Sequence, residues 1–212
     1  MTNPKTEVYL LTLGEHQLGH DLRITSDSAT VADVLAALAD FALNKLADCR
    51  GCDGCCYERA PLTAPDIAAL AGSGAPYPLQ EACRAFASIH MGKDTIVDIT
   101  LKRDEDGACL FLNKEGKYCQ NWQSRPFVCR SHFCLPRSDR LEALRAVIAN
   151  RGEDELIRLL LDEEAAGAPP LLPPGLEPNH YPPDPAFATG EWETIFIKEI
   201  ASPELWQELR KA

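Results

Sequence analysis

The sequence lacks any apolar run long enough to cross a bilayer, because its apolar helical segments are broken by Asp, Asn or Lys. A membrane-spanning helix is thereby excluded. Met1 to Leu10 has neither the apolar core nor the small-residue cleavage site of a secretory signal, so a cytoplasmic protein is expected. Basic residues are scarce: 21 Lys plus Arg face 32 Asp plus Glu, for a net charge of −11. Phosphate backbones are bound by basic patches that release counterions, so no nucleic-acid partner is expected, and no membrane partner either. Also missing are a phosphate-cradling Gly-rich loop, G-x-S-x-G, H-E-x-x-H and any pair of carboxylates spaced for acid–base work. No catalytic residue can be named, and no internal repeat is present.

What remains is a core-forming chain, 45% hydrophobic over 212 residues, suited to one domain with an appendage. Glu7 to Leu13 and His20 to Thr25 read as paired strands about a Gly-containing turn. Thr30 and Asp33 form a capping box for a helix running to about Ala47, and Thr63 and Asp66 form another for a helix ending near Ala71 and Gly72. A third helix is expected over Leu79 to His90, a strand over Thr95 to Lys102, a turn at Asp104 to Gly107, and a return strand over Cys109 to Leu112. Ser138 should cap a helix that Gly152 interrupts before Leu156 to Leu161 resumes it. A proline-rich connector from Ala168 to Pro185 leads to a strand over Thr194 to Ile200, then to a short helix opened by Ser202 and Pro203. These elements predict an α+β fold: a small irregular mixed domain stapled by a cysteine-ligated metal centre. Its segments are an N-terminal strand-and-helix part (1–48), a cysteine-cluster core (49–135), a helical segment (136–167) and a C-terminal connector with strand and helix (168–212).

The chemistry lies in nine cysteines, which in a reducing compartment are read as metal ligands before disulfides. Cys49, Cys52, Cys55 and Cys56 form a C-x2-C-x2-C-C run; Cys109, Cys119, Cys129 and Cys134 form a second, wider block. Two-residue gaps let successive sulfurs turn toward one centre, and Gly51 and Gly54 supply the backbone freedom for such turns. Two such gaps in a row resemble the ligand run of bacterial ferredoxins, whereas structural zinc more often uses separate C-x2-C pairs. Adjacent residues usually project apart, so Cys55 and Cys56 are not expected to be equivalent ligands of one small ion. Eight sulfurs satisfy two four-ligand centres, or one cluster with reserve thiols.

The segments CRGCDGCC, LTAPDIAALA, ACLFLNKEGKYC and SRPFVCR, in that order, resemble the CxxCxxCC cysteine-cluster family of zinc- or iron-chelating proteins. The resemblance covers Cys49 to Cys134 and implies eight ligand cysteines: Cys49, Cys52, Cys55, Cys56, Cys109, Cys119, Cys129 and Cys134. The resulting expectation is one or two iron–sulfur clusters of the 4Fe–4S type, serving electron transfer, redox sensing or cluster-dependent chemistry with a redox or client protein as partner. A structural zinc-binding interaction module is the alternative. Flagellin lysine methylases resemble the same pattern, which makes a protein lysine methyltransferase-like enzyme a further one.

Arg125 and Arg130 are candidates to offset the negative charge of thiolates or sulfides through charge-assisted hydrogen bonds. Cys83, far from both blocks, reads as a packed core thiol, His132 as a polar loop residue, and His90 as a helix-terminal one. Asp104, Glu105 and Asp106 read as a solvated turn.

Overall fold

The computed structural model describes residues 5–46, 51–72, 79–91, 97–176, 180–188 and 190–211. Its described elements are helices and small two-stranded antiparallel sheets, a mixed α+β architecture. They fall into two compact units. Among the described residues, no helix is long and apolar enough to cross a membrane.

The first unit comprises Met1–Asp48, Val128–Ile148 and Glu191–Ala212. Strands β1 (Thr6–Leu13) and β2 (Gln17–Ile24) form an antiparallel hairpin, with Thr6 opposite Ile24 and Leu13 opposite Gln17. Helix α1 (Val31–Lys45) starts as its sequence dictates: Thr30 Oγ1 accepts from Asp33 N–H, and Asp33 Oδ2 accepts from Thr30 N–H. Its residues Val31, Val34, Leu35, Leu38 and Phe41 are buried at helical spacing. Beside β2 runs the segment Pro136–Ser138: His20 N–H donates to Pro136 O at 2.8 Å, and Ser138 N–H to His20 O at 3.0 Å. Gly19 permits that approach, since a Cβ there would lie 2.9 Å from Pro136 O. Asp21, buried between them, accepts from Leu22 N–H, Ser138 Oγ and Arg140 Nε. Burial pushes its carboxyl up, but the bonds from Arg140, Ser138 and Leu22 outweigh that and hold it below the usual range.

The second unit comprises Cys49–Phe127 and Ala149–Gly190. It contains α2 (Ala64–Ala71), α3 (Leu79–Phe86), β3 (Ala87–Met91), β4 (Val97–Leu101) and a short hairpin of β5 (Leu112–Asn113) and β6 (Tyr118–Cys119). Leu62, Ile67, Ile99, Leu156 and Leu160 anchor its core, which also takes in Cys83 at 1% exposure. The expected capping box of α2 is present: Thr63 N–H and Oγ1 both donate to Asp66 Oδ2, at 3.0 and 2.8 Å. The remaining helices are α4 (Phe127–Arg130), α5 (Asp139–Ala165), α6 (Ile197–Ile200) and α7 (Pro203–Arg210). Ser138 and Ser202 hydroxyls accept from the first turns of α5 and α7, at Leu141 N–H and Leu205 N–H.

Four expectations need correction. The helix predicted over Leu79 to His90 stops at Phe86, because Ala87–Met91 pairs antiparallel with β4 and the ladder outcompetes helix continuation. His90 is therefore a strand residue opposite Asp98, not a helix-terminal one. Instead of a strand over Cys109 to Leu112, Leu112 N–H folds back onto Cys109 O at 2.9 Å, leaving only Leu112–Asn113 as strand. The strand predicted over Thr194 to Ile200 is the single turn α6, with Phe196 bridging Thr30 and Ile197 N–H donating to Ala29 O.

The fourth concerns Gly152, which does not interrupt a helix: α5 is continuous over 27 residues. Glycine at this point makes room for a neighbour, since a Cβ would stand 2.7 Å from Thr63 Cβ and 3.1 Å from the Phe187 ring. Alanine in mid-helix is normally worth about 1 kcal/mol over glycine. Here Gly152→Ala should instead destabilise by about 1–3 kcal/mol, because Thr63 is fixed by its capping box and cannot retreat. A urea titration checks this; a stabilised variant would contradict the packing.

A second expected outcome involves Glu153, whose carboxylate accepts from Ile99 N–H at 2.6 Å. Burial pushes this carboxyl up to about 7; the Ile99 N–H opposes the rise, and Asp98 and Asp154 add to it. The folded state therefore holds a proton that the unfolded chain releases near its ordinary value of 4.5, and stability falls as pH rises from there to about 7. Glu153→Gln keeps an acceptor oxygen and removes the titration. At pH 8 the variant should be more stable by roughly 1–2 kcal/mol after allowance for solvent screening, with the gap closing near pH 4.5. Equal pH profiles for the two proteins would refute it.

Candidate metal centre

In the second unit the first cysteine run enters a 3-10 turn, Gly54–Tyr57, closed by Cys56 N–H on Asp53 O at 2.9 Å. Gly51, at φ +85°, donates its N–H to Lys117 O at 3.0 Å, and Lys117 pairs with Asp53 at 3.6 Å. The loop is thus tied to the turn of the β5–β6 hairpin. Cys109 N–H donates to Cys56 O at 2.7 Å, joining the second block to the first. Leu112 closes the set: its N–H binds Cys109 O, and in the hairpin register it faces Cys119. Three stretches of chain carrying Cys55 and Cys56, Cys109, and Cys119 are therefore drawn together by backbone hydrogen bonds.

Burial first, and then the neighbouring Cys55, Cys109 and Cys119, together push the Cys56 thiol up to about 12. Cys109 is raised by burial and by Cys119 and Cys55, though Phe111 N–H, 3.4 Å from its sulfur, opposes this. Cys119 is raised by burial, against an Asn121 backbone bond and the charge of Arg125. The 3-10 turn leaves Cys55 exposed and Cys56 half-buried, with Cys55 within electrostatic reach of both Cys56 and Cys109. Neutral thiols must lose protons to bind metal, so uptake here releases protons.

The eight described cysteines are thiols; Cys49 lies outside the described residues. Cys52 and Cys55 are exposed, while Cys56, Cys109 and Cys119 are half-buried. Among the described residues, no three Cys, His, Asp or Glu side chains stand at ligating positions. Four sulfurs each about 2.3 Å from one tetrahedral ion would lie some 3.8 Å apart. The donor set fits a metal: four soft sulfurs on loops and short turns suit zinc or an iron–sulfur cluster.

Arg125 Nε donates to Trp122 O at 3.2 Å. Its guanidinium stacks 3.5 Å over the Trp122 ring, and its charge bears on Cys119. Asp104 and Asp106 form the expected solvated turn, both pairing with Lys114. Cys83 is a core thiol, pushed by burial up to about 12.

Cys129 and Cys134 belong to the first unit. Cys129 is half-buried on α4, beside Arg130 in the last turn, and Cys134 is exposed. His132 Nδ1 lies 3.3 Å from Arg137 Nη2. Phe133 packs on His20 and Phe41, with ring centroids 5.3 and 6.2 Å away.

Two residues here carry no sequence signal. His20 is fully buried, its Nδ1 2.9 Å from Pro136 O, and its Nε2 meets no hydrogen-bond partner among the described residues. Burial pulls its pKa down, so the ring is neutral. Arg145, on the α5 face turned toward Val128–Ser131, sits among apolar helix residues and looks in sequence like an ordinary surface charge.

No curated protein and no solved structure gives a match to this chain. Residues 48–147 match the family model for CxxCxxCC, "putative zinc- or iron-chelating domain".

Proposed function

We propose that this protein holds an iron–sulfur cluster on thiolates of Cys55, Cys56, Cys109 and Cys119. The observation that carries the reading is the backbone stitching of three separate chain stretches around those four sulfurs. The consecutive two-residue gaps from Cys49 to Cys55 favour a cluster over a lone ion, by likeness to ferredoxin ligand runs. Cys49, Cys52, Cys129 and Cys134 complete the eight ligand cysteines that the family resemblance implies. Arg125 offsets charge at Cys119, and Arg130 does so at Cys129. When bound, a cluster would supply one-electron chemistry, for electron transfer, redox sensing or cluster-dependent reactions with a protein partner in the cytoplasm.

Structural zinc is the second reading, supported by the electrostatic influence of Cys55, Cys109 and Cys119 on Cys56: four cysteine thiolates are the number that a tetrahedral zinc takes. Anaerobic purification decides between them. A brown protein with iron and acid-labile sulfide supports the cluster; a colourless one with stoichiometric zinc supports the second reading. Neither metal would overturn both.

A further inference from the structure

Arg145 projects from α5 onto the short turn that carries Cys129. Its side chain is only 12% exposed. Nε donates to Ser131 Oγ at 2.9 Å and Nη2 to Val128 O at 3.3 Å, so the guanidinium grips the chain on both sides of Cys129. Nη1 reaches Glu142 at 3.0 Å, but Glu142 is shared with Arg137 at 2.8 Å. Two guanidiniums therefore divide one carboxylate, which leaves a surplus positive charge against this turn in a chain of net charge −11. Cys129 lies within electrostatic reach of that charge. A planar, permanently charged fork is well suited to fix a backbone turn and face an anionic sulfur at once.

We propose that Arg145 is a positioning residue for Cys129, holding its turn in place and compensating the charge of its metal-bound thiolate. It can have that role only if Cys129 ligates metal, as in the reading above. A polar surface arginine would be indifferent to replacement. A purely structural one would matter equally whether or not Cys129 were present.

Cobalt(II) alone serves as the probe, added anaerobically to the reduced, metal-depleted full chain, since sulfur-to-cobalt charge-transfer absorption reports thiolate ligation directly. Arg145→Gln should weaken cobalt binding about tenfold or more, the usual cost of an outer-shell partner, and reduce the charge-transfer intensity. Arg145→Lys, which keeps the charge but not the fork that holds the turn, should fall between wild type and Arg145→Gln. In a Cys129→Ala background, Arg145→Gln should add no further loss, because the sulfur it serves is gone. Wild-type affinity in Arg145→Gln, Lys as weak as Gln, or an undiminished loss in the Cys129→Ala background would each overturn the role. Absence of any charge-transfer band in the wild type would instead sink metal chelation itself, and the role of Arg145 with it.

Discussion

Cys109→Ala should abolish stoichiometric metal retention, while Cys83→Ala leaves metal content unchanged. Both thiols are shielded and both are raised in pKa by burial, so neither reactivity nor composition distinguishes them. Surroundings do. Cys109 is hydrogen-bonded through its backbone to Cys56 and lies among Cys55, Cys56 and Cys119. Cys83 sits on α3 within the apolar core. Losing a direct ligand should weaken binding by more than the roughly 10–100-fold typical of an outer-shell partner. Cys83→Ala, a small core truncation, should cost about 1 kcal/mol of stability and no metal. Metal analysis of the two purified variants, each confirmed folded by circular dichroism, checks the pair. Equal metal content in both would show that the gathered thiols are not the ligands.

Asp66→Ala should lower the stability of the second unit by about 3–4 kcal/mol. Asp66 is 1% exposed and uses both carboxylate oxygens: Oδ2 takes Thr63 N–H and Oγ1, and Oδ1 takes Phe127 N–H at 2.7 Å. The first pair caps α2. The third bond is different in kind, because it pins the first residue of α4, which is distant in sequence. Alanine removes the carboxylate half of the capping box and leaves the buried Thr63 and Phe127 N–H donors without an acceptor, each costing about 1–3 kcal/mol. Asp66→Asn, which keeps one acceptor oxygen, should fall between the two. Urea unfolding at constant metal loading measures this, and a loss below about 1 kcal/mol in the alanine variant would mean that water replaces the carboxylate.

These cases show where the sequence was legible and where it was not. Thr30 with Asp33, Thr63 with Asp66, Ser138, and Ser202 with Pro203 were readable because capping is settled within four residues. Asp66 was recognisable as a cap, but its bond to Phe127 was not, since nothing local encodes a partner so far along the chain. Ala87 to Met91 continues a helical pattern in sequence; only pairing with Val97–Leu101 makes it a strand. Gly152 looked like a breaker because its function is to admit Thr63, a neighbour far away in sequence. Within the candidate site the cysteine runs were legible as candidate donors from their spacing, and the electrostatic coupling of Cys56 to Cys55, Cys109 and Cys119 was not. That depended on the 3-10 turn. Arg145 was hidden for the same reason as Phe127: its importance lies in what it reaches.

The most direct measurement is X-ray absorption at the metal edge of the anaerobically isolated protein. A first shell made of sulfur, at about 2.3 Å, with iron neighbours beyond it if the metal is iron, is the predicted result. A first shell of oxygen or nitrogen without sulfur would contradict thiolate ligation.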